Sequence, residues 1–345
     1  MNFFCGDHMS YNLSEDLAII RKNLGEISFE DQRVLVTGGA GFLGSWMCDA
    51  LLDSGAHVTC VDNFASGLER NIAHLKDNEK FRLIRHDICQ PLKMDSRIDL
   101  VFHMASRASP FEFEHYPIEI LKANTIGILV SLEIAKKFGA KIVYTSTSEV
   151  YGNPAIIPTP ESYFGYVNPI GPRGCYDEAK RCGEAYVMAY QRQYGLDTRI
   201  ARIFNTYGPR IRKDGIYGRV IPRFIDQALK GDSLTIFGEG SQTRSFTYVT
   251  DQIEGLLRLA ALSEAKNEVI NIGNTDEITI LELAKKVIIS TRSQSSISFH
   301  PLPKDDPLRR KPDISRANEI LGWKSQVPFD SGLKRIIQWA VHEVQ

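Results

Sequence analysis

Val34-Leu35-Val36-Thr37-Gly38-Gly39-Ala40-Gly41-Phe42-Leu43-Gly44 reads as a short apolar strand that runs straight into a glycine turn. A helical stretch follows to about Gly55, and then the apolar run His57 to Val61. Strand, turn, helix and strand make one βαβ unit, for which general rules require parallel strands and a right-handed crossover. Further buried-type strands are expected at Phe81–Ile84, Leu100–Met104, Ile142–Ser146 and Thr198–Ile203, with helices near Pro117–Phe138 and Asp177–Tyr194. Alternation at this spacing predicts an α/β fold with a doubly wound, Rossmann-type, mostly parallel sheet.

Outward from that unit, residues 1–32 read as an N-terminal appendage. Ser14-Glu15-Asp16 would place acids at the positive end of a helix whose apolar side is Leu17, Ile19, Ile20 and Leu24. A docking helix and a disordered start both fit. Residues 33–206 form the expected dinucleotide-binding domain, and 207–345 mainly a smaller, interleaved C-terminal α/β lobe. In that lobe Gly- and Pro-bearing turns separate short strands such as Leu234–Phe237 and helices near Ile278–Ser290, while Thr247–Leu262 reads as a helix returning to the first sheet.

The 345 residues carry 41 Lys plus Arg against 42 Asp plus Glu, a formal net charge of −1. That balance removes a general electrostatic case for nucleic acid or an anionic membrane surface. The six cysteines (Cys5, Cys48, Cys60, Cys89, Cys175, Cys182) show no CxxC spacing, so neither a disulfide framework nor a zinc site is expected. Met1 to Gly25 carries acids and amides in place of a signal-peptide apolar region, and no apolar run approaches the ~20 residues of a membrane span. The expectation is a cytoplasmic protein without a metal.

Gly38, Gly41 and Gly44 have the spacing G-x-x-G-x-x-G. A turn of this kind needs positive φ, close backbone approach to a pyrophosphate and tight packing of helix on strand, and the helix N-terminus offers free N–H groups to phosphate. Bare structural punctuation would also use three glycines. Asp62 ends the next strand about 20 residues on, where a carboxylate accepts both ribose hydroxyls of adenosine and repels a 2′-phosphate, favouring NAD over NADP. Arg70 lies near enough in sequence to leave a 2′-phosphate contact open. The candidate cofactor contacts are Gly38, Gly41, Phe42, Leu43, Asp62, Asn63, Asp87 and Ile88; Asp87 serves equally as a turn cap.

Tyr176 and Lys180 are four apart in a helical pattern, hence on one helix face. A nearby ammonium and a positive nicotinamide ring would lower the Tyr pKa, so that the phenolate could take a proton from a sugar hydroxyl as hydride leaves. Such pairs also occur by chance on surfaces. The glycine turn upstream, and Thr147-Ser148-Glu149 after a central strand, argue for the functional reading.

Together these motifs resemble the extended short-chain dehydrogenase/reductase superfamily, nucleotide-sugar branch. Five further stretches resemble its UDP-glucuronate decarboxylases: Ser146–Gly152, Val167–Arg173, Ala201–Arg210, Gly240–Phe246 and Arg309–Ile314. The resemblance runs from about Arg33 to the C-terminus. It implies NAD-dependent oxidation of C4 of UDP-glucuronate, loss of carbon dioxide and return of the hydride, giving UDP-xylose. It assigns Tyr176 as base tuned by Lys180, both also touching the cofactor. Thr147 would sit near O4, Glu149 would position the ring or a water, and Ser148 would stand where 4,6-dehydratases carry an acid. Arg310 would lie near the carboxylate and C5, with Asn205, Arg219 and Arg244 on the UDP part. Read alone, Arg309-Arg310-Lys311 is equally a solvated basic run, and Thr-Ser-Glu equally a strand-end cap. Relatives pair through helices near Leu121–Lys136 and Glu178–Gln193, which makes a homodimer the expected assembly; Ile128, Leu132, Ala185 and Met188 fit that or an internal core. Arg107 departs from the usual Pro, Ala179 from the common Gly, and Arg212–Arg219 from the usual Asn-Asp-Gly-Arg run. A 4-epimerase or 4,6-dehydratase using the same C4 oxidation is the alternative.

Overall fold

Seven parallel strands form the centre of the computed structural model, which describes residues 11–213, 219–302 and 309–344. The chain opens with α1 (Leu13–Leu24) and enters the sheet through β1 (Arg33–Thr37), α2 (Phe42–Asp53), β2 (His57–Asp62) and β3 (Phe81–Arg85). It crosses back to β4 (Leu100–His103), α3 (Pro110–His115), α4 (Pro117–Phe138), β5 (Lys141–Thr147), α5 (Gly174–Tyr194) and β6 (Thr198–Ile203). Then come β7 (Thr206–Tyr207), α6 (Val220–Lys230), β8 (Leu234–Phe237), β9 (Thr243–Ser245), β10 (Thr247–Tyr248), α7 (Val249–Ala261) and β11 (Val269–Ile272). The last elements are β12 (Glu277–Thr279), α8 (Ile280–Thr291), β13 (Ile297–His300), β14 (Arg309–Arg310), α9 (Ser315–Leu321) and α10 (Phe329–Val344).

The sheet order is β11-β6-β5-β4-β1-β2-β3. Strand order reverses between β1 and β4, whose register pairs Thr37 with His103, so a crevice opens just beyond those two residues. Strand alternation divides the core. Val34 and Val36 of β1 pack with Trp46, Met47 and Leu51 of α2 on one face; Leu35 packs with Ile128, Leu132 and Val187 of α4 and α5 on the other. The expected doubly wound architecture is therefore the observed one.

Several details differ from expectation, each for a local reason. The strand β11, at the sheet edge beside β6, is a four-residue run too short to stand out from its surroundings. Helix α8 starts at Ile280 because Thr279 and Glu282 form a reciprocal capping box, and Glu277–Thr279 is strand instead. Helix α5 begins at Gly174, ahead of Asp177. Helix α1 is a docked element over residues 13–24, with Asn12 as its cap, and it lies on α7. Asp16 lies in the first turn as expected and is fully buried, accepting from Tyr248 Oη at 2.9 Å and Arg335 Nη1 at 2.7 Å. Ile128 and Leu132, candidates for a subunit interface, are fully buried in the chain's own core, whereas Ala185 is exposed. Among the described residues no helix is long and apolar enough to cross a membrane.

A second small sheet decides the site. Strand β9 is flanked by antiparallel β12 and parallel β14, and the β14 register sets Arg310 opposite Arg244.

Candidate active site

A cleft of about 640 Å³ runs along the carboxyl ends of β1, β4 and β5 and under the second lobe. Every residue expected at the site lines it: Gly38, Gly41, Phe42, Leu43, Asp62, Asn63, Asp87, Ile88, Thr147, Ser148, Glu149, Tyr176, Lys180, Asn205, Arg219, Arg244 and Arg310. Arg70 is exposed and not part of the lining.

At the β1 end the wall is backbone. Gly38 has φ +71°, and a Cβ there would come within 2.7 Å of Ala105 Cα. A Cβ on Gly44 would stand 2.0 Å from the Gly38 carbonyl oxygen, so α2 can close onto the turn only with hydrogen there. Asp62 is held by two backbone donors, Ala40 N at 2.9 Å and Phe64 N at 2.7 Å. Burial pushes its carboxyl upward, and those two N–H groups oppose the push. Anchored this way, the carboxylate is oriented before any ribose arrives. Asp87 Oδ1 accepts from Cys89 N at 2.9 Å, so it caps its turn while also lining the cleft. The carboxylate at the end of β2, the free α2 N-terminus and the glycine cradle fit NAD.

The other end is built of side chains. Thr147 caps the turn after β5, its Oγ1 accepting from Glu149 N at 3.3 Å, and it lines the cleft together with Tyr176. The capping reading of Thr147 holds. Lys180 Nζ donates to Thr145 O at 2.7 Å and lies 5.9 Å from the centre of the Tyr176 ring. Burial lowers its pKa to about 7, against the pull of Glu184. Tyr176, 7% exposed and stacked on Phe113 at 5.0 Å, is pushed upward by burial, with Thr147 opposing. In the chain itself burial dominates the Tyr176 hydroxyl; the expected lowering calls on the nicotinamide ring as well as the ammonium.

Glu149 sits between two arginines. Arg310 forks onto it, with Nη2 at 2.9 Å from Oε2 and Nη1 on Oε1, while Arg173 Nη2 bonds Oε2. Burial opposes the charge, but Arg173 and Arg310 overcome it and hold Glu149 well below the usual carboxylate range. Strand alternation in β14 separates two adjacent cations. Arg309 faces solvent and pairs with Glu277 at 2.6 Å, whereas Arg310 is 5% exposed, its Nε buried with no hydrogen-bond partner among the described residues. The solvated-run reading holds for Arg309 and not for its neighbour. Arg244 Nη1 donates to Thr243 O at 2.8 Å and Arg219 Nη2 to Ala108 O at 3.2 Å.

Two departures acquire a place. Arg107 bonds the buried Glu112 at 2.9 Å and covers the Tyr116 ring at 4.0 Å. Arg212 reaches Ser66 O at 3.2 Å and Glu112 at 3.4 Å, joining the two walls of the cleft. Asp214–Gly218 of that same run lie outside the described residues. Arg173 is not among the expected site residues; its signals are its place at the end of the Val167–Arg173 stretch and as the residue capping α5, three before Tyr176.

Fold and cleft define a dinucleotide-dependent enzyme, and the chain belongs to the NAD dependent epimerase/dehydratase family, whose pattern matches residues 34–273. NAD is its cofactor. It is 47% identical over 314 residues to UDP-glucuronic acid decarboxylase 1 of Danio rerio, covering 91% of this chain and 74% of that one. Among solved structures, an epimerase from Methanothermobacter thermautotrophicus is 31% identical with a TM-score of 0.85, covering 95% of this chain and 97% of the other. UDP-glucuronic acid 4-epimerase from Bacillus cereus, solved with UDP-glucuronic acid and NAD, is 30% identical with a TM-score of 0.81, covering 91% and 100%.

Proposed function

We propose that this chain decarboxylates UDP-glucuronate to UDP-xylose through a transient C4 ketone, leaving its NAD+ regenerated. The observation that carries the reading is Arg310, buried with Arg173 on Glu149 within the same cleft as Tyr176 and Thr147. Bound NAD+ supplies a hydride acceptor at C4, the same hydride being returned at the end, and a positive ring that favours the Tyr176 phenolate. Thr147 orients the O4 hydroxyl, and Tyr176 takes its proton. Lys180, held by Thr145 O, fixes the polar wall beneath the tyrosine. The C6 carboxylate then stands β to a ketone, so carbon dioxide leaves with the electron pair delocalised towards O4 rather than localised on carbon. Arg310 steadies the departing carboxylate and the developing charge electrostatically. C5 then takes a proton and Tyr176 gives its proton back to O4.

Ser148 separates this chemistry from dehydration. Sugar-nucleotide 4,6-dehydratases use an acid at that place to expel the C6 hydroxyl, and a serine is a poor donor to leaving hydroxide. Glu149, ion-paired on both oxygens, is likewise a weak base for C5. Decarboxylation needs neither. The test is incubation with UDP-glucuronate, UDP-glucose and dTDP-glucose, followed by NMR and mass spectrometry. Release of carbon dioxide from UDP-glucuronate alone is expected; a 4-keto-6-deoxy product, or UDP-galacturonate without mass loss, would overturn the assignment. Two copies pairing across the outer faces of α4 and α5, where Ile118, Ile126 and Ala185 are exposed, is the proposed assembly, to be checked by light scattering.

A further inference from the structure

Behind the arginine–glutamate cluster lies a carboxyl that the mechanism leaves unused. Asp177 is 5% exposed, in the first turn of α5. Its Oδ2 stands 4.0 Å from Arg173 Nε, and its Oδ1 is buried with no hydrogen-bond partner among the described residues. The charged groups acting on it come from three elements: Glu149 from the turn after β5, Arg173 and Glu178 at the start of α5, and Arg310 from β14. Its own charge is felt in turn by Tyr176 and Cys175.

Glu178 is partly open to solvent; among the buried groups the charges cancel when all four are ionised, two guanidinium groups against the carboxylates of Glu149 and Asp177. A sugar carboxylate entering the same water-poor space adds a third anion, and an uncompensated buried charge is expensive. Arg173 and Arg310 cannot gain a proton, and Glu149 is clamped by both. Of these four groups Asp177, with one oxygen unpaired among the described residues and a 4.0 Å contact to Arg173, is the one able to neutralise the excess. Burial and the neighbouring Glu149 already raise its pKa to about 7.

We propose that Asp177 takes up a proton when a sugar carboxylate docks against Arg173 and Arg310, and returns to its anion when that carboxylate leaves as carbon dioxide and C5 is protonated. The inference rests on the decarboxylase reading. The balance closes. The C5–C6 bond breaks, its electron pair stays on the enolate shared by C5 and O4, and a C5–H bond then forms with one proton. Hydride and the Tyr176 proton both return, so each turnover consumes one net proton, which reaches C5; the proton that Asp177 takes up at binding is released again once the substrate's negative charge is gone. Asp177 acts here through Arg173 and Glu149, as a positioning residue that keeps the pocket neutral.

The test is titration calorimetry of enzyme loaded with NADH, which cannot accept hydride and so prevents turnover. UDP-glucuronate and UDP-xylose are compared in two buffers of different ionisation enthalpy near pH 7.5. UDP-glucuronate is expected to take up roughly half a proton or more beyond UDP-xylose, because both share the diphosphate and only one brings the carboxylate. Asp177→Asn should bind both sugars and lose the difference. Equal uptake for the two sugars in the wild-type enzyme overturns the inference, and that comparison stands whether or not the variant folds. A difference that persists in Asp177→Asn overturns it too. Binding of UDP-xylose without binding of UDP-glucuronate would instead defeat the decarboxylase reading.

Discussion

The two ends of the cleft are made from different materials. At the end of β1, three glycines and an aspartate spaced within thirty residues shape a cradle from backbone, and the cradle's own N–H groups hold Asp62 in place. At the end of β5, Glu149, Arg173 and Arg310 arrive from separate elements and are joined to one another by ion pairs between side chains. The first end is close-packed: Gly44 meets the Gly38 carbonyl within the turn, and Gly38 meets Ala105 beyond the end of β4. The second is poised by electrostatics, which suits a place where a substrate's charge appears and disappears within one turnover.

That contrast can be broken or sharpened by substitution. Tyr176→Phe should retain NAD and lose C4 oxidation, with turnover falling about 10²–10⁴-fold; near-normal turnover would remove Tyr176 as the base. Arg310→Ala leaves Glu149 with Arg173 alone and should cost about 10²–10³-fold in turnover with a smaller change in KM, accumulating the keto intermediate detectable by NMR. Gly44→Ala drives a methyl into the Gly38 carbonyl and should destabilise the fold by about 1–3 kcal/mol, with loss of NAD on gel filtration. A backbone cradle predicts that this one methyl does more to NAD retention than Arg310→Ala does.

The remaining two effects are smaller. Folded Lys180 titrates at about 7 instead of 10.5, so between those values the unfolded chain binds the extra proton and stability rises with pH. Lys180→Met should remove that slope: wild type gains on the variant as pH increases from about 7 towards 10, read as the difference between their melting temperatures. An unchanged slope would place Lys180 in contact with water. Finally, Arg309→Ala should leave turnover and KM where they were, since that side chain faces solvent beside Glu277. If Arg309→Ala and Arg310→Ala behave alike, strand alternation in β14 is not what separates them.

Legibility in the sequence follows the same line. The cradle, Asp62 and the Tyr176/Lys180 face could be read directly, because strand, turn and helix periodicity are local properties of contiguous residues. Arg107 could not: whether a cation beside the cleft meets ligand or protein depends on Glu112, which only the packing of α3 brings beneath it. Asp16 reads as a first-turn acid at the positive end of α1 and is also a buried tie to Tyr248 and Arg335, residues more than two hundred positions away.

By itself, then, the sequence determined the doubly wound sheet, the glycine turn and the shared helix face of Tyr176 and Lys180, because each is encoded in backbone conformations that neighbouring residues impose. Tertiary structure decided which cations serve the cleft. Arg309 and Arg310 are adjacent and alike until β14 pairs with β9 and turns one outward and one onto Glu149. Asp177 is an ordinary first-turn acid until Glu149, Arg173 and Arg310 close around it. Charge acts through space, and only the folded chain sets the distances.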